Sequence, residues 1–289
     1  FRTLTADAQA KYASTALVVL DAETGKEIYS KNQNLGLATA STLKVITSAT
    51  AFSLLGKDFR FQTTLAYTGK VSPQGELNGD LVIVGGGDPT LGSWRYEHTE
   101  ENQVLNQWVV AIKSAGIKSI NGKVIGDDSG WGSSSLPEGW IWQDIGNYYG
   151  AYPSALSWRE NQFDLHLRPG NGTGSPVSML RTIPEMPYLN IINELRTGPA
   201  GSGDRAYAFL PPLSNIAYLR GTWAAGIAKK GISAAVPDPA YDAAYRLQDT
   251  LKRLGIAATG EPTTSRRLTA ERKSRPVIAA TLTTVSSPP

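Results

Sequence analysis

Ser41 and Lys44 are the residues of this chain best placed for covalent chemistry, and they form its only Ser-x-x-Lys. A serine hydroxyl is a weak nucleophile at neutral pH and needs a base within reach. A lysine that loses its proton on desolvation can be that base. Residues at i and i+3 share a helix face, so the two side chains meet if a helix starts here. The following residues predict one: Val45, Ile46, Ala49, Phe52 and Leu55 recur at helical spacing, and Gly56 stands where a C-cap belongs. The helix dipole would favour negative charge developing at Ser41. Seen alone, such a pair is more often an N-cap serine beside a solvated lysine, so the rest of the chain has to decide.

Upstream, 15–20 is a short apolar run that reads as a buried strand, 21–25 as a turn and 27–30 as a second strand. A hairpin thus leads through the loop 32–39 to the Ser41 helix. After Phe59 the character changes. Segments 61–67, 79–84, 123–127 and 163–167 read as short strands between Gly, Pro and Asn turns. One helix interrupts them at 102–115, with Val104, Leu105, Trp108, Val109 and Ile112 on its apolar face. The helical period returns at Asp238 with Ala240, Ala243, Ala244, Leu247, Leu251 and Leu254, closed by Gly255; 277–282 reads as a further strand. This predicts an early α/β portion, a long β-rich insertion and a return to the first domain.

Composition narrows the chemistry. The chain has 289 residues, enough for two or three domains, with 41% hydrophobic and 18% charged residues, as in a globular protein. It has no cysteine, which excludes thiolate catalysis, iron–sulfur clusters and disulfides. His98 and His166 are its only histidines, which argues against a His-based zinc site. A net charge of +3 and the lack of basic runs interleaved with aromatics argue against a nucleic-acid partner. The densest basic stretch, 266–275, is broken by Glu271 and reads as a solvated loop. No stretch is long and apolar enough for a transmembrane helix. The chain begins at Phe1 rather than Met, and a cleaved signal peptide is one explanation.

Other motifs fail as sites. The glycine-rich stretch 85–92 lacks Gly-Lys-Ser/Thr and a following helix, so it is no P-loop; a turn needing positive φ explains it. Asp127 and Asp128 read as solvated or capping acids at a strand end. No Gly-x-Ser-x-Gly accompanies a histidine as a Ser-His-Asp hydrolase of that type would require.

Four segments together are more specific. They are Ala40-Ser-Thr-Leu-Lys-Val-Ile-Thr47 with Leu54-Leu-Gly56 and Phe59-Arg-Phe61; Leu77-Asn-Gly-Asp-Leu81 running into Gly85-Gly-Gly-Asp-Pro-Thr-Leu91; Ile120-Asn-Gly-Lys-Val124 with Asp127-Asp-Ser129; and Gly139-Trp-Ile-Trp-Gln-Asp144 followed by Tyr149 and Pro153. In order and spacing the chain resembles the class C low-molecular-mass penicillin-binding proteins, the D-alanyl-D-alanine carboxypeptidase/endopeptidase family.

The resemblance implies an α/β (α+β) penicillin-binding domain, like that of the serine β-lactamases and transpeptidases, with nested β-rich insertions. The expected division is 1–60 and 238–289 for that domain, left incomplete; 61–153 and 224–237 for one inserted domain; and 154–223 for another. It implies that Ser41 is acylated and Lys44 takes its proton, that stem peptides of peptidoglycan are substrates, and that β-lactams are inhibitors. No metal or organic cofactor is implied. Asp144 would receive the free amino end of a diamino-acid side chain, with Trp142 and Tyr149 flanking its methylenes. The family's Ser-x-Asn and Lys-Thr-Gly motifs are expected beyond Pro289, in a missing C-terminal part of the same polypeptide. The match Ser119-Ile-Asn121 falls in a predicted turn and reads as coincidence. The implied location is the periplasm or another extracytoplasmic part of a bacterial envelope. The rival reading is a non-catalytic envelope module that binds peptidoglycan through Trp140, Trp142 and Tyr149.

Overall fold

The computed structural model describes residues 1–132, 136–271 and 275–288. They divide into two units, Phe1–Phe59 and Arg60–Pro289.

The first unit holds the predicted hairpin and helix. Leu17–Leu20 pairs antiparallel with Glu27–Lys31. The turn between them is fixed by Asp21, whose carboxylate accepts from the Thr24 amide at 2.8 Å and the Thr24 hydroxyl at 2.6 Å. These bonds hold the Asp21 carboxyl below its usual range. Leu43–Leu55 is an α-helix closed by Gly56 at φ 80°. No residue of this unit is buried. The strand expected to be buried is exposed, and so are Val45, Ile46, Phe52, Leu54 and Leu55 of the helix.

The second unit has two hydrophobic cores. The first is built on a five-stranded sheet in the order Thr263–Thr264, Val124–Asp127, Leu81–Val84, Gln62–Tyr67, Ala280–Ser286. The first three strands run parallel and the last two pair antiparallel. Alternation along the strands sends Leu81, Ile83 and Val124 to one core and Val82 and Ile125 to another cluster. The larger core is completed by two helices. Glu101–Ser114 contributes the five residues its sequence period predicts. Pro239–Arg253 starts at Asp238, whose carboxylate caps the Tyr241 amide at 3.1 Å, with Pro239 in the first turn. Val82 and Ile125 meet Leu268 of the short helix Ser265–Ala270.

The second core lies between a three-stranded antiparallel sheet (Ser178–Ile183, Gln162–Arg168, Gly231–Ala235) and a four-stranded one centred on Ile216–Ala224. Asn190–Asn193 and Arg196–Gly198 join that strand in parallel, and Asp204–Phe209 joins it antiparallel.

Several expectations about the domains and loops change here. Residues 238–288 fall within the second unit: their helix fills the first core, and Ala280–Ser286 pairs with Gln62–Tyr67. Residues 224–237 belong with the second core, because Gly231–Ala235 pairs with Gln162–Arg168 and buries Ile232 and Ala234 there. The basic stretch begins as a helix rather than a loop. Its Arg266 pairs with buried Asp128 at 2.6 Å and its Arg267 with buried Asp238 at 3.0 Å, so Asp128 is neither solvated nor a cap; residues 272–274 lie outside the described residues. Ser119–Ile120, expected in a turn, is a two-residue strand paired with Glu76–Asn78. In the glycine-rich stretch, Gly87 has φ +86°, and a Cβ there would meet the Trp131 ring at 2.4 Å.

A left-handed turn ties the two cores together. Arg159, Glu160 and Asn161 all have φ near +55°, as 54°, 55° and 54°. Asn161 is buried; its side chain accepts from the Trp158 amide at 3.0 Å and donates to the Tyr152 carbonyl at 2.9 Å and the Ser157 hydroxyl at 3.2 Å. Asn161→Ala strands those groups and keeps a side chain in a conformation that Asn tolerates better. We expect a loss of about 2–4 kcal/mol in urea denaturation. A loss below about 0.5 kcal/mol, the range of ordinary surface changes, would show that the turn is held by something else.

Candidate active site

The geometry at Ser41 begins one residue earlier. Ala40 has φ 43°, a left-handed conformation that costs a non-glycine residue roughly 1–2 kcal/mol. It opens the 3₁₀ turn Ala40–Thr42, which runs into the helix Leu43–Leu55. The turn is closed by the Thr42 amide donating to the Thr39 carbonyl at 3.1 Å, and the Thr42 hydroxyl donates to the same oxygen. Ser41 therefore stands in a tight turn ahead of the α-helix rather than at its first position. Lys44 lies one turn on, and its Nζ donates to Ser41 Oγ at 2.8 Å. That distance is within reach for proton transfer between the two. Nothing in the sequence marks Ala40, since alanine carries no signal for a left-handed backbone.

The residues expected to bind substrate lie in the second unit. Asp144 sits on the short helix Trp142–Ile145, which leads into the 3₁₀ turn Tyr148–Gly150. Gly150 permits this fold-back: a Cβ there would meet the Asp144 carbonyl oxygen at 2.0 Å. Asn147 holds the segment to the neighbouring strand. Its amide side chain donates to the Gln143 carbonyl at 2.5 Å and accepts from the Ala208 amide at 3.2 Å. The result is a cleft of about 290 Å³ lined by Gly139, Trp140, Ile141, Asp144, Tyr149 and Gly150. Partial desolvation of its phenol pushes Tyr149 above its ordinary range although the ring is exposed, and the adjacent Asp144 carboxylate adds to the shift.

The structure thus brings Asp144 and Tyr149 together but not Trp142. Trp142 turns to Phe209, ring centroids 6.1 Å apart, and does not line the cleft. Trp140, two residues earlier, takes the place expected of it. Trp140 lies in the segment before the helix and Trp142 at its first position, and the tryptophan spacing alone could not show which ring faces the acid. Such a cleft suits a cation on an apolar stem: a carboxylate for the charge and aromatic faces for the methylenes. Among the described residues, no group of three or more His, Asp or Glu side chains could hold a metal ion.

The fold and these two constellations define a class that comparison makes explicit. Residues 2–286 match the model of the D-Ala-D-Ala carboxypeptidase 3 (S13) family, and the chain belongs to that family. It is 28% identical over 254 residues to the D-alanyl-D-alanine carboxypeptidase of Actinomadura sp. (strain R39), covering 86% of this chain and 45% of that protein. It is 28% identical over 233 residues to the D-alanyl-D-alanine carboxypeptidase DacB of Haemophilus influenzae, covering 80% of this chain and 46% of that one. The chain spans about half the length of the curated relatives it matches. The crystal structure of penicillin binding protein 4 (dacB) from Haemophilus influenzae superimposes with a TM-score of 0.72 at 25% identity, over 93% of this chain and 55% of that one. The fold is therefore of the penicillin binding protein 4 type, mixed α/β with several sheets.

Proposed function

We propose that this protein is a serine DD-peptidase of peptidoglycan stem peptides, with Ser41 as nucleophile and Lys44 as its base. The observation that carries the reading is the 2.8 Å contact between Lys44 Nζ and Ser41 Oγ in a chain of this family. Ser41 Oγ attacks the carbonyl carbon of a D-Ala-D-Xaa bond while its proton passes to a neutral Lys44 amine. The tetrahedral intermediate collapses, the leaving amine takes a proton, and an ester to Ser41 remains. Water then hydrolyses the ester. A β-lactam would acylate the same oxygen by the same attack. Lys44 works as a base only where water is kept from it, because desolvation favours the neutral amine. A wall packed over the exposed apolar side chains of this helix, Phe52 and Leu55 among them, would keep water from the site. Stem peptides are cross-linked outside the cytoplasmic membrane, so the reading places the enzyme in the bacterial envelope.

The Asp144 cleft supplies specificity in this account: the ammonium of a diamino-acid side chain pairs with the carboxylate, and Trp140 and Tyr149 line its stem. D-Alanine release from an acyl-D-Ala-D-Ala peptide tests the activity. Release that Ser41→Ala abolishes supports it; no release, with or without the diamino acid, would favour a module that binds through Trp140 and Tyr149 without cutting. Asp144→Ala should reduce kcat/KM roughly 10-fold or more for peptides carrying the free amino end, the loss of a partly desolvated charge pair. Simple acyl-D-Ala-D-Ala should change little. Equal losses on both would assign Asp144 a structural role.

A further inference from the structure

Tyr149 lines two clefts. On one side is the Asp144 cleft; on the other is a smaller one of about 130 Å³ lined by Asn147, Tyr148, Tyr149, Asp204, Tyr207 and Lys229, among others. Nothing in the reading above uses this second cleft. Its rings are held from two elements. Tyr148 and Tyr149 meet edge to face, centroids 5.3 Å apart, and both are exposed. Tyr207 lies on the strand Asp204–Phe209, where alternation buries Ala206 and Ala208 in the second core and turns Tyr207 outward. The charges at its edge are already matched: Lys229 Nζ lies 2.6 Å from the Asp204 carboxylate. Beside them, the Ser233 hydroxyl donates to the Asp164 carboxylate.

This combination selects a ligand class. A charged ligand finds no unmatched partner in that ion pair. An apolar side chain finds no deep pocket, because the cleft is shallow and open. A neutral sugar finds both things it needs: aromatic faces for its C–H surface, and carboxylate, ammonium and hydroxyl groups for its hydroxyls. We propose that this cleft is a saccharide subsite, taking one unit of an N-acetylated hexosamine chain while a stem peptide occupies the Asp144 cleft across Tyr149. The proposal rests on the stem-peptide reading, since that glycan is what carries such peptides.

The probe is chitotetraose, a peptide-free chain of N-acetylglucosamine, titrated into the intact protein by calorimetry. A sugar-free stem peptide with a diamino acid is titrated separately. We expect the sugar to bind in the millimolar range, and Tyr148→Ala and Tyr207→Ala each to weaken it roughly 3- to 10-fold, the loss of one ring contact. Tyr207→Phe keeps the ring and should retain most of the binding. Circular dichroism checks that each variant is folded; Tyr148 is exposed, so its variant is the fallback if Tyr207→Ala is not. No binding at roughly 10 mM sugar, or binding indifferent to both alanine variants, overturns the subsite. Failure of the stem peptide alone to bind would count against the Asp144 reading and leave a sugar response to be judged by itself.

Discussion

Lys44→Ala will slow acylation of Ser41 by a penicillin roughly 10²- to 10⁴-fold, the span that a positioned general base contributes. Ser41 and Lys44 are held by one piece of backbone, a 3₁₀ turn passing into a helix, and their side chains touch at 2.8 Å. The hydroxyl cannot shed its proton into water fast enough at neutral pH to attack unaided. Lys44→Arg should not rescue the rate. A guanidinium can keep the hydrogen bond to Oγ but stays protonated, so it positions without accepting. The rate is read with a fluorescent penicillin on protein from the complete reading frame. A loss smaller than about 10-fold would move the base to another residue.

Trp108→Ala will destabilise the Arg60–Pro289 unit by about 3–5 kcal/mol, the cost of emptying a large aromatic site. Trp108 and Trp158 stack with centroids 5.6 Å apart and 23° between planes, and both are fully buried. Trp108 comes from the helix Glu101–Ser114, whereas Trp158 begins the left-handed turn that leads to the second core. Gly92 packs directly on the Trp158 ring, so the neighbourhood has little freedom to collapse into the space. Among the described residues, the indole N–H groups of Trp108 and Trp158 have no hydrogen-bond partner. Trp108→Phe should therefore cost much less than the alanine variant, since it removes an unsatisfied donor along with part of the ring. Urea denaturation followed by circular dichroism gives both values. Equal losses for Phe and Ala would mean that ring stacking contributes little.

What the sequence shows of this fold is local. The period of 102–115 names the five residues that are buried on Glu101–Ser114, because a single apolar face decides their positions. The helix after Asp238 is legible in the same way, through Ala240, Ala243, Ala244, Leu247 and Leu251. Leu254, also expected on that face, is the C-cap and half exposed. Which sheet that helix covers is not legible, since an apolar stripe does not name its partner. The strand expected at 277–282 is found at Ala280–Ser286, and its register is set by pairing with residues more than 200 positions away. Among the candidate site residues, the Ser41–Lys44 pair and the Asp144–Tyr149 pair are each named by residue type, spacing and family resemblance. Trp140 in place of Trp142, and the left-handed Ala40, depend on where the helix begins and on backbone conformation that side-chain identity does not carry.

The most direct test of the central claim is peptide mapping of the penicillin adduct. The protein from the complete reading frame is incubated with benzylpenicillin, digested, and searched by mass spectrometry for the penicilloyl ester. The account places one adduct on Ser41, in the peptide carrying Ala40-Ser41-Thr42-Leu43-Lys44, with no label on Ser41→Ala protein of unchanged circular dichroism. An adduct on a different serine, or labelling that survives Ser41→Ala, would contradict it.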